Sequence, residues 1–305
     1  MPVVFGQGMR RSGTTILFDL FWGDGRFDCW YEPLNRAKGK KGGGSRARDE
    51  DYSAAVRTLR ERLVATRDDV TNVQDFNWGA PDHSEEELVS GWPPHVREYV
   101  GEMAGSSADV FVKFTRASHK LVELAAIRPD AYLVHLVRDP RSVATSHLFR
   151  SHPKFKERIL AEGCFFTMTS DFNQWKTEAM ARHLIATRDE YRRFADEPAF
   201  VQIMMVWKEL YIRTRDDAAE HFAGRHVLAW HDDLCADPWG TLQGIYATWG
   251  WRPRLRQRFW ASKHVRPARP WHDASNPAWD RAMDLLDLHA LVAEARAASP
   301  LARTD

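Results

Sequence analysis

A loop near the amino terminus has the residue types and spacing of a phosphate-binding site. It spans residues 8–15, with the sequence GMRRSGTT, between a short apolar run and a stretch of helical periodicity. Glycines let several backbone N–H groups point into one concavity, and the following helix adds the positive end of its dipole. The alternative is a glycine turn that threonine caps at a helix start. The candidate ligands are Arg10, Arg11, Ser12, Gly13, Thr14 and Thr15.

The two glycines of this loop have the GxxxxG spacing of a Walker loop, but Thr14 stands where the Walker lysine would be. An ordinary ATPase or GTPase uses that lysine on the nucleotide phosphates, so the exchange argues against both classes. Arg11 supplies a fixed positive charge in the same loop, and the two threonines can donate hydroxyl hydrogen bonds.

Arg138 and Ser146 form a second pair of candidate anion ligands, eight residues apart. Arg138 follows the apolar run 131–137, and Ser146 falls on the helix predicted after it. Ligands of open α/β sheets bind at the carboxyl ends of the strands, so Arg138 should point into that crevice. A guanidinium forks onto two phosphate oxygens, and a serine hydroxyl adds a third donor. Alone, the Arg-Asp-Pro sequence is equally compatible with a strand-end turn that contains an ion pair.

Five short runs are the predicted strands that must position these residues. The third and fourth runs are β-branched and mostly apolar, and they suit a parallel sheet that is buried on both faces. The predicted strands are Pro2–Phe5, Phe27–Tyr31, Asp109–Thr115, Ala131–Val137 and Arg225–Trp230. Helical periodicity predicts a helix from Thr14 and further helices over 53–66, 84–104, Leu121–Ile127 and Thr241–Trp249.

The order of these elements predicts one α/β domain over residues 1–305, with a central parallel sheet of about five strands flanked by helices. Residues 154–221 are predicted to be mainly helical insertions, interrupted at Pro198. The low-complexity stretch 36–51 contains three consecutive glycines and is predicted to be a mobile surface loop. No internal repeat or linker is visible.

Composition excludes several classes of protein. The chain has 305 residues and a net charge of +1, which argues against a strongly basic nucleic-acid-binding protein. No apolar run is long enough to span a membrane, and no secretory signal is visible, so we expect a cytoplasmic protein. Three widely spaced cysteines indicate neither a disulfide framework nor a metal site, and no metal is expected. The excess of arginine over lysine hints at a bacterial source.

Three motifs, in the right order, resemble those of sulfotransferases that use 3′-phosphoadenosine-5′-phosphosulfate (PAPS). RSGTT at 11–15 is similar to the 5′-phosphosulfate loop of that family, where a basic residue precedes SGTT. The pair Arg138 and Ser146 resembles the 3′-phosphate motif. WHDDLCADPWGTL at 230–242 is similar to the "YEDL…DP" segment after the last central strand. The resemblance covers about 1–36, 109–150 and 225–250, and it implies the P-loop NTPase-like sulfotransferase fold.

The resemblance also implies roles in catalysis. Many cytosolic members use a histidine two residues after a strand lysine as the base, but here Thr115 follows Lys113 at that spacing. The sequence YEPL instead resembles the "EPL" of carbohydrate sulfotransferases, so Glu32 is the expected base, with His147 as its rival. Glu32 could also serve only as the partner of an arginine. Arg11 and Lys113 are expected to stabilise the leaving group, although Lys113 could be a structural ion-pair partner.

The predicted function is transfer of the sulfuryl group of PAPS to a hydroxyl of a small molecule or glycan, in bacterial natural product biosynthesis. Arg266 and Arg269 are weaker candidates for the 3′-phosphate, and the aromatic segments 164–175 and 204–211 are candidates for the acceptor. The alternatives are a P-loop kinase of a small molecule or nucleotide and a non-catalytic nucleotide-binding module. The sequence does not indicate an oligomeric state.

Overall fold

Five strands form one parallel sheet in the computed structural model, which describes residues 2–35, 47–66, 78–79, 87–105, 109–148, 164–169, 177–254, 258 and 265–303. The strands are β1 (Val3–Gln7), β2 (Phe27–Tyr31), β3 (Asp109–Phe114), β4 (Tyr132–Val137) and β5 (His226–Trp230). Their order across the sheet is β2-β3-β1-β4-β5, so the strand that precedes the phosphate loop lies in the middle. The five predicted strands and their parallel pairing are confirmed.

Twelve α-helices are described around this sheet. Those of the first half are α1 (Thr14–Asp24), α2 (Ala47–Ala65), α3 (Pro94–Ala104), α4 (Leu121–Ile127) and α5 (Pro140–Leu148). Those of the second half are α6 (Thr177–Thr187), α7 (Asp189–Arg192), α8 (Ala199–His221), α9 (His231–Ala236), α10 (Pro238–Thr248), α11 (Ala278–Leu285) and α12 (Leu288–Ala297), with a 3₁₀ turn at Pro300–Arg303. Among the described residues, no helix is both long and apolar enough to cross a membrane.

Both faces of the sheet are covered, as its apolar strands require. Every residue of β1 is buried, which explains why its sequence lacks the alternation of a half-exposed strand. One face packs on α1 and α10 through side chains such as Phe21, Phe111 and Tyr246. The opposite face packs on α3 and α4 through Tyr99, Val112 and Leu124, among others.

Some predicted helix and loop boundaries were wrong. The helix predicted over 84–104 begins at Pro94, because proline is favoured in the first turn of a helix but restricts the residue before it. The helix predicted over 53–66 begins six residues earlier, at Ala47, so residues 47–51 of the predicted loop are helical. The rest of that loop, 36–46, lies outside the described residues. In the predicted helical stretch 154–221, residues 154–163 and 170–176 also lie outside them.

The carboxyl ends of all five strands meet at one edge of the sheet, because the strands are parallel. The residues directly after the strands are Gly8, Glu32, Thr115, Arg138 and His231. The chain therefore brings the phosphate loop and the other candidate residues to one side of the sheet, where open α/β sheets bind their ligands.

Candidate active site

An open cleft of about 470 Å³ lies at this edge of the sheet. It contains nine of the predicted site residues, together with residues that the sequence did not single out. The cleft is lined by Arg10, Arg11, Gly13, Thr14, Thr15, Ile16, Tyr31, Glu32, Asn35, Lys113, Thr115, Arg116, Arg138, Ser146 and His231.

Three predicted residues do not line the cleft. Ser12 is a buried residue of the loop, and its backbone N–H donates to the Met9 carbonyl at 3.1 Å. Arg266 and Arg269 are exposed and lie outside the cleft lining.

The phosphate loop has a backbone that turns sharply between β1 and α1. Arg11 and Gly13 have positive φ angles of 72° and 87°, in the left-handed region. A Cβ atom on Gly13 would lie 2.3 Å from the imidazole ring of His231, so this position has no room for a side chain. The loop therefore combines a helix N-terminus with a backbone that a ligand can approach closely.

Arg11, Arg138 and Ser146 form one contiguous group at the base of the cleft. Arg11 Nε donates to Ser146 Oγ at 2.9 Å, and Arg138 Nη1 donates to the Arg11 carbonyl at 3.1 Å. The carbonyl of Arg138 accepts a 2.9 Å hydrogen bond from Trp207 Nε1, which fixes the end of β4. Burial lowers the pKa of Arg138, and nearby Asp232 opposes this shift. The two sequence motifs are thus physically joined through Arg11.

The side chain of Asp139 is bound to the start of α5 and is not directed at a ligand. Asp139 accepts hydrogen bonds from the backbone N–H and from the guanidinium of Arg141, at 2.7–2.9 Å. The Arg141 guanidinium lies 4.2 Å from the centroid of the Trp271 ring, and the His272 N–H donates to Thr145 Oγ1 at 3.1 Å. The late loop that carries Arg266 and Arg269 therefore packs on α5, while these two arginines are exposed and are not among the residues that line the cleft.

Three side chains among the described residues hold Glu32, from β3, from the residue after it and from the segment after β2. Lys113 Nζ contacts its Oε1, while Thr115 Oγ1 and Asn35 Nδ2 each donate to its Oε2 at 2.8 Å. The backbone of Glu32 has a φ of 47°, and its N–H donates to the Lys113 carbonyl at 3.0 Å. Burial acts to raise the pKa of Glu32, but the charge and hydrogen bonds of Lys113 and Thr115, with Arg10, outweigh it. The pKa of this carboxyl is therefore lowered.

Lys113 joins this carboxylate to the phosphate side of the cleft. Its side chain is 1% exposed, and Nζ lies 4.4 Å from the centroid of the Tyr31 ring. The Tyr31 hydroxyl lies 3.1 Å from Thr15 Oγ1. Lys113 is an ion-pair partner of Glu32, and the contacts of Tyr31 extend the same group towards the phosphate loop. Sequence analysis missed Tyr31, although its place at the end of a strand, beside Glu32, was a usable signal.

The histidines near the motifs have different environments. His147 and His135 are buried, which lowers the pKa of each to about 3. His135 stacks on Tyr211, as expected for a core histidine, and His147 Nδ1 lies 3.5 Å from Thr177 Oγ1. His231 lines the cleft, but its Nδ1 lies 2.9 Å from Asp232 Oδ1 and burial lowers its pKa.

Arg10 and Arg116 share one carboxylate at the side of the cleft. Arg10 Nη2 forms an ion pair with Glu87 Oε1, and Arg116 Nη1 lies 3.6 Å from the same oxygen. Arg10 therefore lies in the predicted region, but its guanidinium is directed at Glu87 rather than at the phosphate loop.

The aromatic segments expected to bind the acceptor are core elements where the structure describes them. Phe165 packs on Phe166, Phe200 and Trp279, and Trp207 stacks on Tyr211. Met204 and Met205 are fully buried. Residues 170–175 of the first segment lie outside the described residues. Within the described ranges, the cleft itself is the better candidate for acceptor binding.

Comparison with known proteins identifies a family. The model of the Sulfotransferase family matches residues 2–253. No curated protein matches the chain significantly. Among solved structures, the sulfotransferase STF1 from Mycobacterium tuberculosis is 14% identical, with 93% of this chain and 76% of that chain covered and a TM-score of 0.46. The sulfotransferase STF9 from Mycobacterium avium is 14% identical, with 95% and 76% covered and a TM-score of 0.48.

A domain of similar size also matches. The sulfotransferase domain of the olefin synthase from Synechococcus is 14% identical, with 95% of this chain and 94% of that domain covered and a TM-score of 0.43. The match to the family model contains the phosphate loop, Glu32, Lys113, Arg138, Ser146 and His231. In the described part of the chain, no group of three His, Cys, Asp or Glu side chains is placed to hold a metal ion.

Proposed function

The chain belongs to the sulfotransferase family, and we propose that it transfers the sulfuryl group of PAPS to a hydroxyl of a small-molecule or glycan acceptor. One observation carries the proposal. A single cleft is lined both by the hydrogen-bonded group of Arg11, Arg138 and Ser146 and by Glu32. The first group has the chemistry to bind a phosphorylated donor, and the second can accept a proton.

The donor would be bound at its two phosphorylated ends. Arg138 and Ser146 would bind the 3′-phosphate, while the loop N–H groups, Thr14 and Thr15 would bind the 5′-phosphosulfate. Arg11 Nε already reaches Ser146 Oγ, so its guanidinium is within reach of both regions. This donor set contains cationic and neutral donors, and it fits two anionic groups.

The reaction would be an in-line displacement at sulfur. A new bond forms between the acceptor oxygen and sulfur, and the bond between sulfur and the 5′-phosphate oxygen breaks. The acceptor proton passes to Glu32, and adenosine 3′,5′-bisphosphate leaves with the bond electrons. As in phosphoryl transfer, the site then acts by positioning both oxygens and by stabilising negative charge on the leaving oxygen. Arg11 is the main candidate for that stabilisation.

Hydrogen bonding leaves Glu32 one position for the acceptor hydroxyl. A carboxylate offers about four acceptor positions. In the described part of the chain, Lys113 occupies one on Oε1, while Thr115 and Asn35 occupy two on Oε2. The remaining position is on Oε1, beside the Lys113 ammonium. An acceptor hydroxyl bound there would lie close to the Lys113 ammonium, which contacts both the Glu32 carboxylate and the Tyr31 ring.

Assay of transfer tests the proposal directly. The protein is incubated with PAPS and a panel of phenols, alcohols and sugars, and products are searched for a mass gain of one SO₃ unit. We expect such a product, together with binding of adenosine 3′,5′-bisphosphate in the absence of Mg²⁺. Phosphoryl transfer from ATP that requires Mg²⁺ would support the kinase alternative. Nucleotide binding without turnover of any acceptor would support a non-catalytic module.

A further inference from the structure

A buried arginine, Arg60, interrupts the apolar face of α2. Val56, Leu59 and Leu63 are the other buried residues on that face, at the spacing of an amphipathic helix. Arg60 is only 1% exposed, and its guanidinium lies 5.4 Å from the centroid of the Trp78 ring. Burial of a guanidinium among apolar and aromatic groups is unfavourable unless its donors are satisfied. The contacts that satisfy them indicate its purpose.

All the hydrogen bonds that Arg60 donates within the described residues go to neutral oxygens. Nη2 donates to the carbonyl of Pro33 and, at 2.7 Å, to that of Asn35. Nε donates to the Tyr99 hydroxyl at 3.1 Å, and that hydroxyl donates in turn to the Pro33 carbonyl at 3.0 Å. Arg60 therefore holds both ends of the short segment that follows Glu32.

That segment controls the direction of the Glu32 carboxylate. The Asn35 N–H donates to the Glu32 carbonyl at 2.9 Å, which closes a turn, and Asn35 Nδ2 donates to Glu32 Oε2 at 2.8 Å. Glu32 itself has a left-handed backbone, with φ at 47°, which is unfavourable for a residue with a side chain. Such a conformation persists only when its surroundings fix it, and Arg60 binds the carbonyls of Pro33 and Asn35, one and three residues further along the chain.

We infer that Arg60 is a positioning residue for catalysis, which acts through the turn at Pro33–Asn35 and through the Asn35 amide to aim the carboxylate of Glu32. The inference rests on the proposed function, because it requires Glu32 to be the base. Arg60 lies outside the cleft lining, so it does not touch donor or acceptor in this arrangement. It should change the rate of proton removal and leave the nucleotide affinity unchanged.

A double-mutant cycle tests this chain of contacts. The variants are Arg60→Met, which keeps length and apolar volume, Asn35→Ala, and the two together. We expect each single variant to lower the single-turnover rate with pre-bound PAPS about tenfold. Because both act on the same carboxylate, the double variant should be no more than about threefold slower than either single variant. Affinity for adenosine 3′,5′-bisphosphate should stay at the wild-type value in all three.

The pH profile gives a second measurement that a purely structural role would not change. Removal of the Asn35 donor destabilises the ionised form of Glu32, so its pKa should rise and the acidic limb should move to higher pH. Among the described residues, the charged groups that act on Glu32 are Lys113 from β3 and Arg10 from the loop. Glu87 pairs with Arg10, so Glu87→Gln leaves the Arg10 charge uncompensated and should move the limb in the opposite direction, to lower pH.

Matched variants separate positioning from stability. Arg62→Met on the same helix removes an exposed ion pair with Glu102 and should leave the rate unchanged. Arg60→Lys keeps a cation that can reach a carbonyl, and we expect it to recover part of the rate. If Arg60→Met does not fold, Asn35→Ala and Arg60→Lys decide the question.

The inference and the proposed function fail in distinguishable ways. If Glu32→Gln keeps the wild-type rate, the base assignment in the proposed function is wrong. If Glu32→Gln is slow, the assignment of Glu32 as the base stands. The inference about Arg60 is then overturned if the rate losses of the Arg60 and Asn35 variants multiply in the double variant. It is also overturned if a folded Arg60→Met or Asn35→Ala variant is as fast as wild type. Arg60→Lys as slow as Arg60→Met, with lowered thermal stability in both and an unmoved acidic limb, would also overturn it.

Discussion

Replacement of Glu32 by glutamine removes the proposed base and its ion pair with Lys113 in one step. Gln keeps the length of the side chain and can still accept from Thr115, but it cannot take a proton. If Glu32 deprotonates the acceptor, the single-turnover rate should fall by about 10²–10⁴-fold. The Glu32 carboxylate is 13% exposed and its partner Lys113 is 1% exposed, so the variant leaves a buried ammonium without its counter-charge.

That loss should also appear in stability. Removal of one partner of a buried ion pair destabilises a protein by about 3–5 kcal/mol. The Gln carbonyl can accept a hydrogen bond from Lys113, so we expect the lower end of this range. The pKa of Glu32 is lowered in the folded chain, so its contribution to stability is full above the unfolded pKa and is lost as pH falls through the folded value. The stability difference between wild type and variant should therefore shrink in acid.

The assay must separate the two effects. The rate is measured in a single turnover with pre-bound PAPS, at a temperature where the thermal melt shows both proteins folded. Glu209→Gln is the matched control, because Glu209 also has a lowered pKa and buried partners, His119 and Tyr191, but does not line the cleft. It should lose stability and keep its rate. A Glu32→Gln variant that turns over at the wild-type rate, or a Glu209→Gln variant that is equally slow, would refute the reasoning.

Three further predictions concern the donor side of the cleft. Arg138→Ala or Ser146→Ala should weaken binding of adenosine 3′,5′-bisphosphate by about 1.5–3 kcal/mol while leaving 5′-AMP nearly unaffected, as measured by calorimetry; equal losses for both nucleotides would contradict the 3′-phosphate role. Arg11→Ala should lower the chemical rate more than the affinity for PAPS, because its charge acts most strongly on the leaving oxygen; a defect explained wholly by affinity would make Arg11 a binding residue. Gly13→Ala should lower the melting temperature and abolish nucleotide binding, because its Cβ would lie 2.3 Å from the ring of His231 and its φ is 87°; a stable variant that binds normally would show that the loop can rearrange.

Sequence patterns located the strands because each one is short and mostly apolar, and β1, β3, β4 and β5 are buried along nearly their whole length. The second predicted run has the bounds of its strand, and the third, fourth and fifth runs differ from theirs by one residue at one end. The first run begins one residue before β1 and ends two residues short of Gln7. The single parallel sheet could be predicted for the same reason, since helices alternate with the strands along the chain. The start of α2 could not be predicted from periodicity, because its first turns carry charged residues and no apolar repeat.

The cleft could be predicted from the glycine loop and from residues at or directly after the carboxyl ends of strands. Lys113 lies near the end of β3, Glu32 and Arg138 directly follow β2 and β4, and all three line the cleft. Sequence analysis did not identify Asn35 and Arg60, because their proposed roles depend on a turn and on a helix face that no local sequence pattern encodes. The apolar pattern of α2 predicts an apolar residue at position 60. The arginine there is unusual only in comparison with its buried apolar neighbours Val56, Leu59 and Leu63.

The lowered pKa of Glu32 constrains how the site could work. A carboxyl of low pKa is fully ionised near neutral pH, but it has little thermodynamic drive to take a proton. The same contacts that lower the pKa also place the Lys113 ammonium beside the position on Oε1 that the described residues leave for the acceptor. A loose transition state needs less proton removal at the start of bond formation, because the acceptor hydroxyl becomes acidic only as its bond to sulfur forms. Under those conditions, a base that is always ionised and rigidly aimed is more useful than a strong one. This is why loss of the contacts of Asn35 and Arg60, which aim the carboxylate, should lower the rate even while Glu32 stays ionised.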